Sequence, residues 1–252
     1  MSAATIDVRA ADGDAQAYLA EPGGGPHPAV LLYMDAYGLR PQIEAMTDRI
    51  AGEGYVVLAP NVFYRDARAP FASEEVMRSP EARGELFGSL REYMRALTPD
   101  AVARDARAYL DFLAARNSVA DAPVGVTGYC MGGRLAFVTA GSLPDRVAAA
   151  ASFHAGNLAT DAPESPHRLA ANLRAELYVA HADQDRSMPP EQIERLEHAL
   201  DEAGVAYRSE LYAGARHGFT MADLDVYDEA ADERHWRELL GLLERSLPRA
   251  AA

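Results

Sequence analysis

A chain of 252 residues that is 49% hydrophobic and 25% charged has the composition of an ordinary globular protein, of a length that fits one large α/β domain or two small ones. Its 24 Lys and Arg against 38 Asp and Glu give a formal charge of −14, which repels nucleic acid and anionic membranes and sets both aside as partners. One cysteine leaves no internal disulfide, no apolar run nears the roughly 20 residues of a membrane span, and the opening "MSAATIDVRAADGD" has neither the basic segment nor the apolar core of a signal peptide, so a cytoplasmic protein is expected.

In chain order, two short alternating runs flank Asp12-Gly13-Asp14 and predict a hairpin over about 4–20. After a Gly/Pro-rich connection, "AVLLYM" (Ala29 to Met34) and "YVVLAP" (Tyr55 to Pro60) are continuous apolar runs of strand length. Ile43, Met46 and Ile50 stand between them at helical spacing, which makes a β-α-β unit suited to a parallel sheet. The middle, Asn61 to Ala122, carries two amphipathic helical stretches, "EARGELFGSLREYMRAL" and "PDAVARDARAYLDFLAAR".

Then "VGVTG", "VAAAASFH", "ELYVAH" and "YRSELY" predict four further strands. Ile193, Leu196 and Leu200 mark one helix, and Trp236, Leu239, Leu240, Leu243 and Leu247 mark the closing one. No repeat, low-complexity segment or long linker interrupts the alternation. The reading is a single doubly wound α/β domain over 1–252, its sheet mostly parallel with helices on both faces, and a tail, 248–252, that frays.

The lone cysteine sits in Gly128-Tyr129-Cys130-Met131-Gly132-Gly133, between strand "VGVT" and helical "RLAFVTAG". This is the G-x-S-x-G nucleophile elbow with cysteine for serine: a sharp turn lifts the nucleophile off the strand end, and the flanking glycines let the chain pass close by. The following helix aims its N-terminus at the sulfur, which favours an anion there. The architecture requires an acid and then a histidine. "ADQDRSMPP" after "ELYVAH" offers Asp183 and Asp185, and "AGARHGF" after "YRSELY" offers His217.

Taken together, "MDAYGL", "GYVVLAPNVFYR", "GYCMGG", "DRSMP" and "YAGARHGF" make the chain resemble the dienelactone hydrolase family, cysteine hydrolases of the α/β-hydrolase fold, from about Ala29 to the closing helix. The resemblance implies that the acid is Asp185 rather than Asp183, with Cys130 as nucleophile and His217 as base and later acid. Backbone N–H groups of Met131 and Ala36 are the expected oxyanion hole. The family usually has a glutamate where this chain has Asp35, and its interaction with the resting cysteine implies a thiol-activating role for Asp35, one methylene shorter.

The family also holds a substrate carboxylate with arginines, one a few residues after the histidine, where this chain has Met221. Arg65, Arg83, Arg91 or Arg95 could replace that cation, and Tyr37, Tyr64, Tyr129 and Met221 are candidates for the pocket wall. The expected activity is hydrolysis of a small lactone or ester through a covalent acyl-enzyme, without cofactor or metal, in a monomer or homodimer.

Three rival readings accompany it. A broader esterase or thioesterase would suit a neutral substrate, and a non-catalytic binding protein could retain the fold. A metal site built from His181, Asp183 and Asp185, with His154, has a spacing that matches no zinc signature.

Overall fold

In the computed structural model residues 1–247 are described, so the tail 248–252 lies outside the described residues. The apolar runs form eight strands: β1 (Ser2–Ala10), β2 (Gly13–Glu21), β3 (Ala29–Tyr33), β4 (Val56–Pro60), β5 (Val124–Tyr129), β6 (Val147–Phe153), β7 (Glu176–Gln184) and β8 (Tyr207–Arg216). They make one sheet in the order β1-β2-β4-β3-β5-β6-β7-β8. The first two pairings, β1 with β2 and β2 with β4, are antiparallel, and the rest are parallel. The hairpin spans Ser2–Glu21 and turns at Ala11 and Asp12, one residue ahead of the predicted turn.

Strands β3, β4 and β5 are buried along their whole length, as continuous apolar strands must be when helices cover both faces. One face carries α1 (Pro41–Gly52) and α7 (Glu229–Ser246), joined where the Arg49 guanidinium lies 4.3 Å from the Trp236 ring centre. The other carries α4 (Pro99–Ala114) and α5 (Met131–Ser142). Strand β5 shows both coverings: a Cβ on Gly125 would meet Leu243 of α7 at 2.7 Å, and one on Gly128 would meet the Gly132 backbone of α5 at 2.1 Å. Three residues apart on a strand means opposite faces.

Two further helices, α2 (Glu74–Arg78) and α3 (Pro80–Ala96), belong to the long β4–β5 connection. Ser73, Ser79 and Thr98 cap α2, α3 and α4 by accepting backbone N–H bonds, with proline at the first helical position of α3 and α4. Beyond β7, α6 (Pro190–Ala203) packs on a 3₁₀ turn, Pro166–Asn172, which the periodicity did not reveal. Four consecutive parallel strands end side by side, and the first residues after them are Cys130, His154, Asp185 and His217. The sheet itself therefore gathers the chemistry at one edge.

Candidate active site

Cys130 is held at φ 55°, ψ −118°, between the last residue of β5 and the first of α5. Such backbone costs a side-chain-bearing residue on the order of 1–3 kcal/mol and persists only where the surroundings over-determine it. Those surroundings are glycine-dependent. A Cβ on Gly132 would stand 2.4 Å from the carbonyl oxygens of Tyr33 and Met34, and one on Gly133 would stand 2.7 Å from Ser152 Oγ. Among the described residues the non-glycine positions of positive φ are Cys130, His154 and Asn157, and all three line one cavity of about 820 Å³. Strain collected in a ligand-sized cleft points to function.

In the same cavity, beside the Cys130 sulfur with which its ring makes a hydrogen bond, the His217 Nδ1–H donates to Asp185 Oδ2 at 2.6 Å. The second oxygen, Asp185 Oδ1, accepts from the Ser187 N–H at 2.8 Å and its hydroxyl at 2.6 Å, so the carboxylate is held in place. Burial raises the Asp185 pKa, but the bonds from His217 and Ser187 win and lower it. For His217 burial is likewise opposed: negative charge on the Cys130 sulfur and the bond to Asp185 raise its pKa to about 11. The sulfur and the carboxylate together favour the imidazolium form of the ring.

His154 stands between these groups. The Cys130 N–H donates to Phe153 O at 3.0 Å and to His154 Nδ1 at 3.2 Å. Its Nδ1 is thus an acceptor, and its Nε2–H donates to Thr220 Oγ1 at 2.8 Å. The ring is wholly buried, 5.3 Å from His217 centre to centre, and burial followed by the neighbouring His217 and His235 pushes its pKa well below the ordinary value. It stays neutral. Sequence reading considered His154 only as a metal ligand, although its place directly after a strand was a usable signal.

Asp35 lies in the cavity wall, with both oxygens engaged by an arginine that the sequence reading did not single out. Arg40 Nη1 donates to Asp35 Oδ1 at 2.7 Å and Nη2 to Oδ2 at 2.9 Å, while Nε reaches Asp223 at 2.6 Å. The Tyr37 N–H adds a bond to Oδ1. The short carboxylate therefore turns to its own loop, where a guanidinium is available in a buried fork, instead of being left to the sulfur. Ala36 and Met131 both line the cavity beside Cys130, and Met131 opens α5, where helical N–H groups lack partners within the helix.

The expected pocket tyrosines separate. Tyr37 lines the cavity, whereas three other candidates for the wall are corrected. Tyr64 lies beside the hairpin, its hydroxyl bonded to Asp105 and to the Asp12 N–H. Tyr129 points beneath the elbow, where its hydroxyl donates to His235 Nε2, which Asp232 orients through Nδ1. Met221 is fully buried with its sulfur 3.6 Å from Arg40 Nη2.

Of the candidate arginines, Arg65 pairs with Asp12 and Asp105 away from the cleft, and Arg91 lies over the Phe87 ring. Arg83 lines the cavity but is bound to Asp225 and to Met77 O. The alternative metal set is dispersed: His181 bonds Ser209, and Asp183 accepts from the Gly214 N–H. Among the described residues no three His, Cys, Asp or Glu groups cluster to hold a metal, and no helix is long and apolar enough to cross a membrane.

Comparison with known proteins adds the following. The model of the "Dienelactone hydrolase family" matches residues 15–247. A protein of Synechocystis sp. with the name "Putative carboxymethylenebutenolidase" is 30% identical over 234 residues, 91% of each chain. The solved structure of the dienelactone hydrolase-like promiscuous phosphotriesterase P91 from metagenomic libraries superposes with a TM-score of 0.75 at 22% identity, covering 97% of this chain and 98% of that one. An acylaminoacyl peptidase of Pyrococcus horikoshii gives 0.68 at 15% identity, with all of this chain on 42% of that one. These two likenesses speak to the fold alone, that of the α/β hydrolases.

Proposed function

Since this chain belongs to the dienelactone hydrolase family, we propose that it is a cytoplasmic cysteine hydrolase that cleaves a small lactone or ester through a thioester on Cys130. The observation that carries the reading is the 2.6 Å bond from His217 to a fixed Asp185, with the same ring hydrogen-bonded to a strained Cys130 in one cavity.

In this mechanism the Cys130 sulfur adds to the substrate carbonyl carbon, and the oxygen that becomes anionic is held by the N–H groups of Ala36 and Met131. The tetrahedral intermediate collapses, the C–O bond breaks, and the leaving alkoxide takes the proton from His217. Water then attacks the thioester, giving a proton to the now neutral His217. The acid departs and the sulfur anion is restored beside the imidazolium. Asp185 keeps the imidazole in the tautomer that presents Nε2 to the cleft. His154 takes no proton in this scheme and supports the elbow through the Cys130 N–H.

The test compares the wild type with Cys130→Ala on a dienelactone, a neutral lactone and a p-nitrophenyl ester, following absorbance and, by intact mass, the acyl adduct. Hydrolysis of at least one substrate, lost by a factor of about 10³ or more in the variant, is the expected result. Equal rates in both proteins, or no turnover and no adduct in either, would overturn it in favour of a binding protein.

A further inference from the structure

Seven arginines among the described residues are buried or half-buried. Six of them, Arg40, Arg65, Arg83, Arg116, Arg146 and Arg234, each hold a carboxylate. The seventh, Arg134 in the first turn of α5, makes no ion pair and no hydrogen bond among the described residues. A guanidinium does not lose its charge at any ordinary pH, so a half-buried one without an anion is a cost that a ligand can relieve. Burial indeed lowers its pKa, opposed only by the more distant charge of exposed Glu164.

Its position is specific. Four residues beyond Cys130, Arg134 forms part of the wall of the catalytic cavity and also of a second cavity of about 820 Å³, between the end of α3, the start of α4 and the 3₁₀ turn. The two cavities share Met94, Glu164 and Ser165 as well. Arg95 and Arg168 line the second, together with Asp100. Three cations against two carboxylates make it locally positive in a chain of charge −14. The first cavity alone, at about 820 Å³, is larger than a small lactone needs, so such a substrate would leave the second one empty.

We propose that Arg134, backed by Arg95 and Arg168, is an anion subsite, so that the substrate is an extended ester or thioester with its carbonyl at Cys130 and a carboxylate or phosphate reaching the second cavity. This rests on the hydrolase reading for the word substrate but not for the subsite, which is tested separately. Binding of pyrophosphate and of adipate to Cys130→Ala is measured by calorimetry. Arg134→Gln in that background is expected to weaken at least one of them about tenfold or more, with Arg134→Lys intermediate, because a point charge replaces a fork.

Two hydrolysis arms locate the anion: p-nitrophenyl monoadipate against p-nitrophenyl hexanoate, and S-hexanoyl phosphopantetheine against S-hexanoyl pantetheine. The charged member is expected to win in one arm, and that preference to fall about tenfold in Arg134→Gln. Should that variant not fold, Arg168→Gln and Arg95→Gln are expected to weaken binding several-fold, and added salt to lower it. Absence of binding, or binding indifferent to all three arginines, overturns the subsite. Binding without any Cys130-dependent hydrolysis supports the subsite while removing the hydrolase.

Discussion

The Cys130 sulfur and the Asp185 carboxylate beside His217 set its proton, and this gives a prediction independent of any substrate. Negative charge on the Cys130 sulfur favours the imidazolium and raises the pKa. Removing the sulfur removes that support while burial remains, so in Cys130→Ala the His217 pKa falls, by more than about one unit. Imidazole proton shifts followed by NMR across pH would show it, and an unchanged midpoint would mean that the Cys130 sulfur places no negative charge beside the ring. Asp185→Asn acts in the same direction: the acceptor for Nδ1–H is lost, the tautomer is no longer fixed, and kcat is expected to drop by a factor of about 10² to 10⁴. Measured kcat and KM separate that from a binding defect. Asp35→Asn leaves Arg40 with Asp223 as its remaining carboxylate partner, so loosening of the Ala36 loop, read as reduced kcat, is the expected result.

At the scale of elements, the elbow depends on how closely α5 approaches β3. Gly132→Ala places a methyl group 2.4 Å from two carbonyl oxygens, which neither rigid element can yield, and a loss of about 3 kcal/mol in urea denaturation is expected. Gly88 is exposed in α3, and a Cβ there would meet nothing within 4 Å, so it behaves oppositely. Gly88→Ala stabilises by about 0.5–1 kcal/mol through helix propensity. Such contrasts show what could be read from the chain. Continuous apolar runs made β3 to β6 legible because a doubly covered strand has no polar face, and glycine spacing made the elbow legible because its cause is local. The contact of Arg40 with its second partner was not legible: Asp223 is 183 residues away, and nothing near either residue announces that pair. Tyr129 was misread for a related reason. It is next to the nucleophile in sequence, but strand alternation sends its ring to the opposite face, toward α7 and His235.

For the molecule as a whole, one sheet passes through the chain from Ser2 to Arg216 and one buried core joins its two faces. We propose that it unfolds as one unit. The single tryptophan, Trp236, is buried against Asp232 and Arg49, so its fluorescence reports loss of α7 packing, while far-UV circular dichroism reports all helices. Superimposable denaturation curves are expected, and two separated transitions would instead divide the chain into independent units. All 24 of its cations are arginine, which gives the ion pairs that tie distant segments together, such as Arg65 with Asp12 and Asp105, their forked geometry. The solitary, partly exposed Cys130 has a practical sequel of its own. Because every thiol in a sample belongs to one elbow, a chromogenic disulfide reagent added before and after denaturation counts competent sites against total chains, so a preparation can be standardised before its physiological substrate is identified.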